Sequence, residues 1–139
     1  MQPKYEYLDH TADVGFMAYG ATVEALFAHA AEALIEVMTP VKDIEPMEEH
    51  HLSVDADDLE TLMVRWLNEL LYQFETTTLL FGHFQVHEIR NFRLSASCRG
   101  EKLDPARHEI RTGIKAVTYH GLYIKEQDDL WESRIFLDI

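Results

Sequence analysis

The spacing of hydrophobic positions changes along the chain, and each spacing predicts a different kind of element. Residues 5–8 and 14–19 are short apolar runs, which predict two strands joined by a polar turn. From Val23 to Met38 the apolar residues recur every three or four positions, which predicts an amphipathic helix. Thr22 is a suitable N-cap for this helix, and Thr39-Pro40 is expected to stop it.

A second helix is predicted by an apolar stripe near the middle of the chain. The stripe comprises Leu59, Leu62, Met63, Trp66, Leu67, Leu70, Leu71 and Phe74. Asp57 and Glu60 have the spacing of a capping box at the start of this helix. Residues 41–51, between the two helices, are polar and irregular, so the sequence predicts an exposed loop there and a short strand at 52–54.

In the C-terminal half the apolar spacing becomes two, which is typical of strands. Phe81, Phe84 and Val86 predict one strand with Gly82 at a bulge, and the alternation from Phe92 to Cys98 predicts the next. Residues 88–91 are expected to form the turn between them. Residues 115–120, 122–125 and 131–139 predict three more strands, with breaks at Gly121 and at Asp128-Asp129.

This order of elements predicts an α+β, two-layer fold, in which two amphipathic helices cover a mostly antiparallel sheet. The length of 139 residues predicts one domain spanning residues 1–139. Two β-α-β-like halves suggest an internal duplication, although no matching sequence period accompanies them.

The strongly acidic net charge bears on which partners the protein can bind more than on its fold. The chain has 25 acidic and 12 basic residues, giving a formal net charge of −13. Such a surface repels phosphate backbones, so we expect no direct nucleic-acid binding. It favours divalent cations and basic protein partners, although the charge could also serve solubility alone.

Other features point to the cytoplasm. Cys98 is the single cysteine, which rules out an internal disulfide and fits a reducing compartment. We expect no secretory leader and no membrane association, because no apolar run approaches the ~20 residues that span a bilayer.

The strongest candidate chemistry lies at the two ends of the sequence. The polar segment Asp9-His10-Thr11-Ala12-Asp13 interrupts two strand-like runs, and the chain closes on Asp138 and Ile139. If these ends meet, Asp13, Asp138 and the terminal carboxylate of Ile139 offer hard oxygen ligands, which suit calcium best and also suit magnesium. The alternative is that Asp138 is only the exposed side of a strand.

Several other candidates have plainer interpretations. His83 and His87 lie four apart on a predicted strand, roughly 13 Å from each other along it, which is too far to share an ion without bending. His50-His51 is read as solvated, and Cys98 as a small core residue. Lys115 could bind a phosphate or carboxylate, or could be an edge lysine that blocks aggregation. No glycine-rich phosphate loop is present in the sequence.

Four blocks, in order and at matching spacing, make the sequence resemble the archease family. They are Tyr7-Leu8-Asp9-His10-Thr11-Ala12-Asp13-Val14-Gly15, Trp66-Leu67-Asn68-Glu69-Leu70-Leu71, Ile114-Lys115-Ala116-Val117-Thr118-Tyr119-His120 and Leu137-Asp138-Ile139. Each block alone is weak, but the set is specific and spans nearly the whole chain.

The resemblance implies a small cytoplasmic cofactor protein that is not a stand-alone enzyme. Its implied partner is the tRNA-splicing RNA ligase of the RtcB family, which forms a guanylate adduct on its own histidine from GTP with divalent metal. The family promotes that guanylylation, permits multiple turnover and is associated with broader nucleotide use. Its metal site, for calcium or alternatively magnesium or manganese, maps onto Asp13, Asp138 and Ile139, and the resemblance assigns supporting positions to His10, Lys115 and His120.

Two functions from other classes remain open at this stage. One is a metal-assisted phosphoester hydrolase with Asp13 and Asp138 as ligands and His10 or His120 as general base. The other is a general chaperone or adaptor whose metal is structural. The sequence leaves open the metal's identity, the docking face and the oligomeric state.

Overall fold

The computed structural model describes residues 2–8 and 14–139, which form two helices and seven strands with one short 3₁₀ turn. In chain order the elements are β1 (Tyr5–Leu8), β2 (Val14–Gly20), α1 (Val23–Met38), the 3₁₀ turn Val41–Asp43, β3 (Glu48–Asp55), α2 (Leu59–Thr77), β4 (Leu79–Arg90), β5 (Arg93–Lys102), β6 (Ala116–Gln127) and β7 (Leu130–Asp138).

The strands form two antiparallel sheets. One has the order β1-β2-β7-β6 and the other the order β3-β5-β4. The predicted α+β class and antiparallel pairing are therefore confirmed, with the difference that the strands divide between two sheets. Each helix packs on strands of both sheets, so the apolar faces of both sheets are buried against the same pair of helices.

Side-chain caps fix where the helices begin. Thr22 accepts a hydrogen bond from the backbone N–H of Ala25 at 3.1 Å, as predicted for the start of α1. At α2 the cap is Asp58, which accepts from the N–H of Thr61 at 2.7 Å. The capping box predicted from Asp57 and Glu60 is wrong by one residue, because two acidic residues in succession left the cap position ambiguous.

Trp66 lies at the centre of the core, fully buried on the inner face of α2. Its indole N–H donates to the carbonyl of Phe27 in α1 at 3.0 Å, and its ring meets Phe84 edge-on at 6.2 Å. One tryptophan thus connects both helices with the second sheet. Cys98 is also buried, as predicted, and burial raises the pKa of its thiol to about 12. No helix in the described part of the chain is both long enough and apolar enough to cross a membrane.

The predicted loop at residues 41–51 is partly wrong, because β3 already begins at Glu48. His50 and His51 are therefore strand residues. The inward-facing His50 packs its ring 5.6 Å from the ring of Phe81. Because the polar residue His50 occupies an inward position of β3, the sequence lacks the apolar–polar alternation that predicts a strand there.

Two turns also differ from the prediction. The β4–β5 turn lies at Asn91 and Phe92, both with positive φ, and the predicted turn at 88–91 is too early. The strands predicted at 115–120 and 122–125 are one strand, β6, and Gly121 lies inside it with φ +68°. Glycine adopts this conformation without steric conflict. The sequence predicts a break between two strands at Gly121, but this residue instead permits a bulge within one strand.

A buried ionic cluster holds the connection between β5 and β6. The carboxylate of Glu101 accepts hydrogen bonds from Arg107, from Nε2 of His108 at 2.9 Å and from the N–H of Glu45 at 2.8 Å. Nδ1 of His108 in turn accepts from the N–H of Asp104 at 2.8 Å. The hydrogen bond from Arg107 holds the pKa of Glu101 down, at about 2, so this carboxylate stays charged at neutral pH.

We predict that Trp66→Ala destabilises the fold by about 3–5 kcal/mol, because it leaves a large cavity and removes the hydrogen bond from the indole to the carbonyl of Phe27. The total stability of such domains is typically ~5–15 kcal/mol. Urea denaturation followed by circular dichroism measures the change.

Tyr72→Ala is the matched control, since Tyr72 lies on the same helix with 57% exposure. Its stability should stay within about 0.5 kcal/mol of the native chain. Equal losses for the two variants would show that Trp66 does not organise the core.

Candidate functional site

The C-terminal strand β7 lies between β2 and β6 and is hydrogen-bonded to both. On one side Val14 is paired with Leu137, and on the other Ala116 is paired with Asp138. The N–H of Lys115 donates to the carbonyl of Asp138 at 2.8 Å. The end of β7 is therefore held between the beginning of β2 and the beginning of β6.

The predicted site residues fall into two groups. Asp13 and His10 lie outside the described residues. Asp138 ends β7 with an exposed side chain, and Ile139 follows it with 47% exposure. Lys115 is exposed directly before β6. The pairing of Val14 with Leu137 brings the strand that follows Asp13 beside the strand that carries Asp138, as the meeting of the chain ends requires.

His120 borders Asp138 in a shallow cleft of about 160 Å³, which Thr118, Phe136 and Leu137 also line. It reaches this position through the irregularity in β6, where the register passes from Thr118 directly to Tyr123. The N–H of His120 donates to Oγ1 of Thr118 at 2.9 Å, and its ring lies 6.2 Å from that of Phe136. An imidazole and a carboxylate thus share one solvent-accessible cleft.

The floor of the cleft is the ring of Phe136, which fits between two glycines. A methyl group on Gly15 of β2 would lie 2.6 Å from Cδ1 of this ring. One on Gly121 of β6 would lie 2.8 Å from Cε2, on the opposite edge. Both distances are too short for real contacts, so glycine on both neighbouring strands leaves room for the ring of Phe136.

Arg134 supports the same region from β7. Its guanidinium lies 5.1 Å from the centre of the Tyr123 ring and 5.8 Å from that of Phe136, while Nε donates to the carbonyl of Gly121 at 2.8 Å. Tyr123 donates its hydroxyl to Glu132 at 2.7 Å. Burial and this acceptor raise the pKa of Tyr123 to about 12, so its hydroxyl stays protonated. The bulge is therefore held by cation–π contacts as well as hydrogen bonds.

Asn68 lies within one of the four blocks, but the sequence alone did not predict a role for it. Its side-chain oxygen accepts from the N–H of Val117 at 2.9 Å, which ties α2 to the beginning of β6. The available signal was a lone amide between Leu67 and Leu70 on an otherwise apolar helix face, since a polar group there usually has a specific partner.

The donor set at the chain ends suits a hard cation. Carboxylate oxygens are the preferred ligands of calcium and magnesium, and the main-chain oxygen of Asp138 is already occupied by Lys115. Within residues 2–8 and 14–139, no three His, Cys, Asp or Glu side chains are grouped to hold a metal.

Comparisons with known proteins agree along the whole chain. A model of the Archease protein family (MTH1598/TM1083) matches residues 5–139. The protein archease of Methanosarcina mazei is 42% identical over 140 residues, covering 98% of this chain and 96% of that protein. The solution structure of Methanobacterium thermoautotrophicum protein 1598 has a TM-score of 0.84 at 37% identity, covering 98% of this chain and 99% of that one. The crystal structure of an archease and possible chaperone from Thermotoga maritima has a TM-score of 0.69 at 21% identity, covers 100% of this chain and 97% of its own, and supports the fold alone.

We predict that Gly121→Ala destabilises the protein by more than the ~1–2 kcal/mol that a left-handed backbone costs a residue with a side chain. The added methyl also collides with Phe136. Urea denaturation measures the loss, and a changed aromatic circular dichroism signal reports displacement of the ring.

Gly113→Ala is the control, because a methyl group there meets nothing within 4 Å. Its stability should stay within about 0.5 kcal/mol of the native chain. If Gly121→Ala and Gly113→Ala had the same free energy of unfolding, the position of the Phe136 ring would not depend on glycine at residue 121.

Proposed function

Because this chain belongs to the archease family, we propose that it is a metal-binding cofactor protein that activates an RtcB-type tRNA-splicing RNA ligase. In this proposal it promotes guanylylation of the ligase in the cytoplasm and so permits multiple turnover. It also broadens the nucleotides that the ligase accepts, and it catalyses no reaction alone.

The observation that carries the proposal is the position of Asp138 beside the strand end that follows Asp13. Asp13, Asp138 and the terminal carboxylate of Ile139 would hold the metal, which we propose to be calcium, with magnesium or manganese as alternatives. Three carboxylates at one end of a protein repel one another. A bound divalent cation would offset that repulsion and supply positive charge at an otherwise acidic surface.

Lys115 and His120 support the proposal by their exposure around the same end of the sheet. Both flank Asp138, through the hydrogen bond from Lys115 and through the cleft shared with His120. A protein with a net charge of −13 can approach a basic nucleotide-binding cleft of a ligase by electrostatic attraction. The same charge opposes direct binding of tRNA, so the ligase is the proposed partner.

The test is a ligation time course with limiting RtcB-type ligase, GTP and divalent metal, in which covalent guanylate on the ligase is also measured. The native protein should raise both guanylylation and the number of turnovers. Asp13→Ala and Asp138→Asn should abolish this activation while leaving the circular dichroism spectrum unchanged, because each removes a proposed ligand, and the side chain of Asp138 is exposed.

Asp128→Asn is the matched control, since it removes a carboxylate from the exposed β6–β7 turn, where φ is +54° and asparagine is tolerated. It should activate like the native protein. Full activation by Asp138→Asn would contradict the proposed site. GTP hydrolysis without ligase would favour the hydrolase, and suppressed aggregation of unrelated proteins without ligase activation would favour the general chaperone.

A further inference from the structure

The outer face of the sheet β3-β5-β4 carries two histidines that converge on one serine. His51 of β3 is directly paired with Ser97 of the central strand β5, and Glu49 is paired with Arg99. His87 approaches the same serine from β4, on the other side of β5. This face is far along the chain from both ends of the sequence and lies in the other sheet.

His87 lies at a β-bulge in β4. The register between β4 and β5 passes from Val86 opposite Ala96 to Glu88 opposite Ser95, and His87 is the inserted residue. His87 continues the outward-facing series of His83 and Gln85, so its side chain lies on the outer face of the sheet. Nε2 of His87 lies 2.7 Å from Oγ of Ser97.

Nδ1 of His51 lies 3.2 Å from the same hydroxyl oxygen. Ser97 is only 6% exposed, whereas the His51 side chain is 72% exposed, so the hydroxyl is fixed while the imidazole above it is accessible. One hydroxyl proton can be donated to only one of the two rings. Two imidazole nitrogens from strands that are not neighbours are thus directed at a single point.

The second nitrogen of His51 faces a carboxylate. Nε2 of His51 lies 3.7 Å from Oε2 of Glu49, and Oε1 of Glu49 accepts from Nε of Arg99 at 2.8 Å. Histidines that bind metals usually donate their other ring N–H to a carboxylate. A separation of 3.7 Å is longer than a hydrogen bond, so the exposed ring of His51 must turn toward Glu49 to make this contact.

We propose that His51 and His87 form a second metal site, which binds a transition-metal ion such as Zn²⁺ through Nδ1 of His51 and Nε2 of His87. Imidazole nitrogen favours zinc, copper and nickel, whereas calcium and magnesium favour oxygen. Zinc–nitrogen bonds of about 2.0–2.1 Å require the two exposed rings to rotate toward each other. Only two of the ligands are histidines, so the hydroxyl of Ser97 or water completes the coordination, and the bound ion connects β3 with β4 across β5.

This site is independent of the proposed ligase activation, and zinc titration tests it directly. Zn²⁺ is titrated calorimetrically into the full chain at pH 7.5 with millimolar Ca²⁺ present, so that the oxygen site at the chain ends is occupied by calcium. We expect one zinc per chain. His51→Gln and His87→Gln should each weaken binding at least as much as Glu49→Gln, for which the loss of an orienting partner predicts about tenfold or more.

His50→Gln is the matched control, because His50 neighbours His51 but faces the opposite side of β3. It should bind zinc like the native chain. Saturating zinc should also raise the urea midpoint of the native chain and leave that of the double variant H51Q/H87Q unchanged. Absence of zinc binding in the native chain, equal affinity in the double variant, or an equal loss in His50→Gln would each overturn the proposal.

Discussion

The strand β7 is hydrogen-bonded along both edges although it lies at the end of the sequence, and the arrangement of the site depends on this pairing. Terminal segments usually fray, because a free end loses few bonds when it moves. Here displacement of the last strand would break ladders to β2 and to β6 together. The pairing on both edges therefore fixes where Asp138 leaves the sheet.

Residues from the sequence blocks, together with Gly121, contact this strand or support its neighbours. Gly15 of β2 and Gly121 of β6 leave room for the ring of Phe136, whose face lies under the cleft beside Asp138. Asn68 ties the beginning of β6 to α2, and buried Trp66 fixes α2 in the core. Residues that are distant along the chain thus set the position of one exposed carboxylate.

The metal site that the family resemblance assigns to the chain ends stays a prediction, since Asp13 lies outside the described residues. The helices could be predicted because their apolar spacing is local. The division into two sheets could not, since the alternation of a strand does not specify its neighbour. Gly121 was misread because a left-handed bulge and a strand break have the same sequence signal. The cluster of His51, Ser97 and His87 was missed because it depends on the order β3-β5-β4, which is not visible in the spacing.

The most direct test of the meeting of the chain ends is calorimetric titration of Ca²⁺ into three forms of the protein: native, extended beyond Ile139, and lacking Ile139. Extension replaces a charged carboxylate with a neutral amide carbonyl, and deletion moves the terminal charge by roughly one residue, ~3.3 Å. An extension before Met1 is the control and should lower the affinity for Ca²⁺ less than the C-terminal changes do. Both C-terminal variants should bind Ca²⁺ more weakly than the native chain. Equal affinity in all three forms would mean that the terminus does not coordinate the metal.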